Sequence, residues 1–177
     1  YWQDDFKQMR DAGLDTVQFW VLWGWVEPEP GRFVFDDYHE LIETAARNGL
    51  NVVLSTIGEI QPVWIHRVVP GAELVDHRGQ RIMSCNRRET HFGLSPGGCW
   101  DNPKIWERME SFLTTTAGRY ADAEPLLGWD AWNELRWNVM AEATHRTLTC
   151  FCDDTIRRWR EWLRDRHGSL EGLNEAW

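Results

Sequence analysis

The 177-residue chain carries a formal net charge of -9 and a pI near 5.1. That balance excludes the basic stripe a nucleic acid would need and works against anionic membrane surfaces. The length supports one domain with a real core, and no run of 18 apolar residues is present to span a bilayer.

Helix-period and strand-like segments alternate along the chain. DDFKQMRDAG sets Phe6 and Met9 three apart ahead of Gly13, which predicts a helix with a glycine stop. Leu14 to Trp23 is rich in β-branched and aromatic residues and predicts a buried strand. Pro28, Pro30 and Gly31 then make a loop. Tyr38, Leu41, Ile42, Ala45 and Ala46 restore the helical period until Gly49, and Leu50 to Thr56 predicts a second buried strand. PVWIHRVV predicts a short helix after Pro62, and GAELVDHRGQRIMSC a hairpin or short strand around Gly79. The chain through HFGLSPGGCWDNP reads as loop. Pro103 after Asn102 opens a long helix with Ile105, Met109, Phe112, Leu113, Thr116 and Tyr120 on one face. LLGWDAWN predicts the next strand. Asp153 or Asp154 can cap a last long helix, with Ile156, Trp159 and Leu163 inward and Gly168 as its stop.

Strand followed by helix, repeated, implies a parallel sheet, and near-continuous apolar strands suit one buried on both faces. Either a doubly wound open sheet or a barrel fits. No glycine-rich phosphate loop follows a strand; GLSPGG lies inside a long loop, so a nucleotide site is not supported. In barrels the functional residues sit where strands run into loops, which is where Trp23, Glu59 and Glu134 fall.

Glu134 is the most informative of these. It ends the apolar run WDAWNEL, with Trp129, Trp132, Leu135 and Trp137 nearby in sequence to desolvate it. A carboxyl kept protonated by apolar surroundings can give a proton to a leaving oxygen, as cleavage of a glycosidic bond requires. Asn133 adds an uncharged amide able to hydrogen-bond a sugar hydroxyl. Thirteen tryptophans add flat faces that suit sugar rings, although any one of them is as well explained by the core. A strand-end acid that simply meets solvent is the plain alternative.

Asn133-Glu134 after a Gly-Trp-led strand resembles the fourth strand of the large clan of retaining glycoside hydrolases with (β/α)8 barrels. MRDAGLDTVQFWVLWGWVEPEPGRFVFD, NGLNVVLST, VDHRGQR, GWDAWNE and the tail CFCDDTIRRWREWLRDRHGSLEGLNEAW narrow the resemblance to family 42 β-galactosidases. The resemblance implies a (β/α)8 TIM barrel of which residues 1–177 are the N-terminal half, about the first four βα units. It implies Glu134 as general acid/base and Asn133 at the sugar 2-hydroxyl. The family's nucleophile, a second Glu after strand seven, matches no residue here; Glu59 suits the pocket rim or an ion pair instead. Such a half barrel would expose the edges of its first and last strands and be inactive alone.

Further site residues follow from the same resemblance. Arg88, with Arg87, matches an Arg-Arg pair that orients active-site carboxylates, although RETHFGLSPGG replaces the usual continuation. Trp23 matches an aromatic ahead of the Glu27-Pro28 loop, and Trp64 is a comparable rim residue, so both are expected to bind substrate. No cofactor is implied, and no metal ligand is assigned. Cys99, Cys150 and Cys152 resemble a zinc cluster of some family members, but Thr155 stands where that cluster has a further cysteine, so buried thiols without metal are the simpler expectation. Asp153, Asp154 or water could complete such a site. With Cys85 they make four cysteines, too sparse for a disulfide scaffold, which favours a reducing, cytoplasmic location. No leader is visible, though a chain beginning at Tyr1 gives that little weight. The expected partner is a β-galactoside or related oligosaccharide, with no nucleic acid or membrane, and trimers occur in the family. A clan relative with mannosidase or glucanase specificity, or a non-catalytic carbohydrate-binding half-barrel, are the alternatives.

Overall fold

The computed structural model describes residues 1–58, 60–82, 98–131 and 150–177. Helix α1 (Trp2–Asp11) leads into strand β1 (Thr16–Leu22), a short helix α2 (Trp23–Val26) and helix α3 (Asp36–Arg47). Strand β2 (Asn51–Ile57), the one-turn helix α4 (Ile65–Val68) and the hairpin β3 (Leu74–Val75) and β4 (Arg81–Ile82) follow. Helix α5 (Pro103–Tyr120) and strand β5 (Leu126–Asp130) come next, and helices α6 (Asp153–His167) and α7 (Leu170–Ala176) complete the described elements.

Strands β1, β2 and β5 form a parallel sheet in that order. Thr16 pairs with Asn51 at one end of β1 and Leu22 with Ile57 at the other. Across β2, Ser55 pairs with Asp130 after a register shift at Val52 and Val53. Three parallel strands lie among the described residues, with α1 ahead of the first, as the first part of a barrel of this kind requires. A strand–helix–strand crossover closes right-handed and lays its helix on the sheet, which is why α3 and α5 share one face.

That face holds the core. Phe6 of α1 meets Phe19 of β1 with ring centroids 5.6 Å apart. Val21, Val52 and Leu54 are buried against Tyr38, Ile42 and Ala45 of α3 and Ile105, Met109 and Phe112 of α5. Asn102 caps α5 by accepting from Lys104 N at 3.0 Å, as its place before Pro103 suggests. Gly79, at φ +80°, turns the hairpin while Asp76 accepts from the backbone of Arg78 and Gln80.

Several expectations are corrected. β1 ends at Leu22, because Trp23 already begins α2. The second face of the sheet is covered only in part: Trp20 there is 52% exposed, while Ser55 and Ile57 on the same side are buried. α6 is capped by Cys152, whose sulfur accepts from Thr155 N, and not by Asp153 or Asp154. Trp159 is half exposed rather than inward, while Ile156 and Leu163 on the expected inward face are partly buried. α7 was not anticipated, though Ser169 supplies an ordinary capping signal by accepting from Gly172 N at 3.1 Å. Among the described residues no helix is long and apolar enough to cross a membrane.

Candidate active site

One polar residue from each parallel strand meets on the open face of the sheet. Gln18 Nε2 donates to Ser55 Oγ at 2.5 Å and to Asp130 Oδ2 at 3.0 Å. The Ser55 hydroxyl donates to the same Asp130 oxygen at 2.9 Å. A carboxylate oxygen taking two donors makes charge-assisted bonds, which are stronger than neutral ones and resist slippage between strands. One step further on, Thr56 Oγ1 donates to the Ala131 carbonyl at 3.1 Å. The strand leading to Asn133 and Glu134 is thus tied to β2 by side chains as well as by the ladder. Sequence reasoning passed over this triad; the signal was a polar residue interrupting each otherwise apolar strand.

Asn133, Glu134 and Arg88, and Glu59 with them, lie outside the described residues. Trp23 and Trp64 lie within them, and the structure puts both in the core. Trp23 has no exposed surface, stacks on Phe112 at 5.4 Å and meets Trp64 edge-on at 6.1 Å. Its indole N–H is bound to Glu27 Oε2 at 2.6 Å. Trp64 is equally buried and donates to the Glu27 carbonyl at 2.7 Å. In this chain neither offers a free ring face or a free N–H to a ligand. Both instead support the loop after β1, which Glu27 organises by accepting from Gly31 N at 2.6 Å.

The exposed Trp2, Trp20 and Trp25, with the buried Tyr38, line a cleft of about 460 Å³ along the edge of β1 away from β2. It shares Gln18 with the polar triad but does not reach Asp130. At the edge itself, the Tyr38 hydroxyl donates to the Trp20 carbonyl at 2.8 Å and accepts from Leu22 N at 3.0 Å. Burial pushes the Tyr38 phenol up, against the hydrogen bond from Leu22.

A second cluster joins the start of α5, the start of α6 and the hairpin. Cys99, Cys150 and Cys152 are buried and free, with all three sulfurs within 4.8 Å of one another. Val75 N donates to Cys150 Sγ at 3.3 Å and Cys152 N to the same sulfur at 3.4 Å. A hydrogen bond from Cys99, helped by those two N–H groups and opposed by burial, lowers the Cys150 thiol below its ordinary value. The same bond, with burial, drives the Cys99 thiol the other way. Three sulfurs around one tetrahedral zinc stand about 3.8 Å apart, given zinc–sulfur bonds of about 2.3 Å. Sulfurs within 4.8 Å of one another stand close to that spacing, so these residues fit the zinc cluster of some family members, although the sequence favours thiols without metal.

The profile of glycoside hydrolase family 42, described as β-galactosidase, matches residues 1–177. The chain belongs to that family. A β-galactosidase of Thermus thermophilus is 34% identical over 177 residues, covering 99% of this chain and 25% of the relative. The solved structure of a polyextremophilic β-galactosidase from the Antarctic haloarchaeon Halorubrum lacusprofundi superposes with a TM-score of 0.80 at 31% identity, over 99% of this chain and 24% of that one. The β-galactosidase of the psychrophilic Marinomonas ef1 gives the same TM-score at 24% identity, over 99% and 25%, and supports the fold alone. The chain spans about a quarter of the length of the relatives it matches. The three-stranded parallel sheet is accordingly part of the (β/α)8 barrel of family 42 proteins, and the polar triad and Glu27 loop belong to its inner face and strand ends.

Proposed function

We propose that the complete protein is a retaining glycoside hydrolase acting on β-galactosides, with Glu134 as its general acid/base. The observation that carries this reading is the family 42 match across residues 1–177, which takes in the Asn133-Glu134 pair directly after β5. Glu134 protonates the leaving oxygen, then deprotonates the water that releases the glycosyl intermediate from a nucleophile outside this chain. Asn133 binds the sugar 2-hydroxyl, and Arg88 orients carboxylates. The Gln18, Ser55 and Asp130 hydrogen bonds tie the end of β5 to β1 and β2, just ahead of the pair in sequence. Three free thiols in one cluster suit a reducing, cytoplasmic setting.

The test is Glu134→Gln in the complete protein, assayed on a nitrophenyl β-galactoside beside wild type. Loss of general acid/base help lowers kcat by about 10²–10⁴ while the fold is retained. Near-normal turnover by the folded variant overturns the assignment.

A further inference from the structure

The sequence of β5 fixes its own position poorly. LLGWD has no alternation of apolar and polar residues and carries a glycine at its centre, a pattern that specifies register weakly. Its ladder with β2 is interrupted as well. Val52 pairs with Leu126 but Val53 with Gly128, which leaves Leu127 without a partner across β2 and three pairs beyond the shift among the described residues. The last of them joins Ser55 to Asp130, the one polar residue of β5.

Asp130 supplies what the ladder lacks. Its Oδ2 takes Gln18 Nε2 from β1 at 3.0 Å and the hydroxyl of Ser55, which has no exposed surface, from β2 at 2.9 Å. Sliding β5 by one residue carries the carboxylate about 3.3 Å along β2 and breaks both bonds. It also parts Thr56 Oγ1 from the Ala131 carbonyl, now 3.1 Å away. Polar groups buried among apolar elements are best attested as setters of register, and apolar replacements often leave stability unchanged or higher.

We propose that Asp130 is a positioning residue: it is the register key of β5, and through that register it sets where the acid/base Glu134 meets the glycosidic oxygen. The inference rests on the reading of Glu134 given above. Four residues separate the two, so the chain carrying the acid reaches at most about 14 Å beyond the key. An error near 1 Å in such placement costs about 10²-fold in rate. Both donors fall on one oxygen, so an asparagine amide can accept them where leucine cannot.

The experiment measures kcat, KM and melting temperature of the complete protein on a nitrophenyl β-galactoside. Wild type is compared with Asp130→Leu, Asp130→Asn and Ser55→Ala, and Asp130→Leu is also made in a Glu134→Gln background. Asp130→Leu should lower kcat about 10²-fold, with KM within about threefold and melting within about 5 °C of wild type. Asp130→Asn should recover kcat to within about fivefold, and Ser55→Ala, which removes one of the two donors, should lower it about tenfold. On top of Glu134→Gln, Asp130→Leu should change kcat by less than about twofold, because a residue that acts through the acid then has nothing to place. Wild-type kcat in folded Asp130→Leu, or in Ser55→Ala if Asp130→Leu does not fold, overturns the proposal. So does an equal loss in Asp130→Asn, which would make charge and not register the cause, and so does a full second loss in the double variant. Turnover that survives Glu134→Gln alone overturns the acid assignment instead, so the two failures are told apart.

Discussion

Replacing Glu27 by Gln should destabilise the chain by about 2–4 kcal/mol, because the site accepts two hydrogen bonds and an amide can accept on one side only. The carboxylate is 2% exposed and takes Trp23 Nε1 and Gly31 N, each at 2.6 Å. Glutamine keeps one oxygen, but its NH2 then faces a second N–H whichever way the amide is turned. One charge-assisted bond is lost, about 1.5–3 kcal/mol, and a buried donor is stranded, about 1–3 kcal/mol, with partial relaxation reducing the sum. Urea unfolding followed by tryptophan emission measures the change. Glu29→Gln is the matched control, two residues away in an exposed ion pair with Arg32 at 3.4 Å, where about 0.5 kcal/mol or less is expected. If the two variants unfold at the same urea concentration, the reading of Glu27 as the organiser of the loop after β1 is refuted.

Two tyrosines give further tests. Tyr38→Phe removes the hydroxyl that satisfies Trp20 C=O and Leu22 N–H, the two groups a parallel neighbour would use opposite Val21. It should cost about 1–2 kcal/mol and raise light scattering by freeing the β1 edge; unchanged melting and scattering would reject that role. Tyr120 is raised by burial to about 12 from 10.0. Its contribution is therefore complete below pH 10 and is lost as pH rises through about 12, because the unfolded phenol ionises first. Tyr120→Phe should flatten that alkaline decline in urea midpoint, and an unchanged slope would remove Tyr120 as its source.

The elements were legible where periodicity and punctuation agreed. α5 begins at Pro103 after an Asn102 cap, α6 ends before Gly168, and the Leu126 run is a strand, each from local chemistry that tertiary contacts reinforce. Tertiary partners set the rest. Trp23 and Trp64 look like rim aromatics in a linear reading, yet Glu27 and Phe112 claim them, and nothing in their own neighbourhood of sequence announces a partner as distant as Phe112. Trp159 fails in the opposite direction: its helical phase points inward only if something packs there. Gln18, Ser55 and Asp130 escaped notice because each is an ordinary interruption by itself, and only strand register makes them neighbours.

That register bears on how the candidate acid is held. The segment carrying Asn133 and Glu134 leaves the described residues at Ala131 and returns at Cys150. At the first end, Asp130 is bound by Gln18 and Ser55, and the Ala131 carbonyl takes the Thr56 hydroxyl. At the second, Cys150 accepts from Val75 N and sits in the cysteine cluster, while Phe151 N binds the Val75 carbonyl. The two anchors differ in kind. The first is a set of neutral donors on a carboxylate and a carbonyl; the second rests on a sulfur acceptor within a cluster of three thiols.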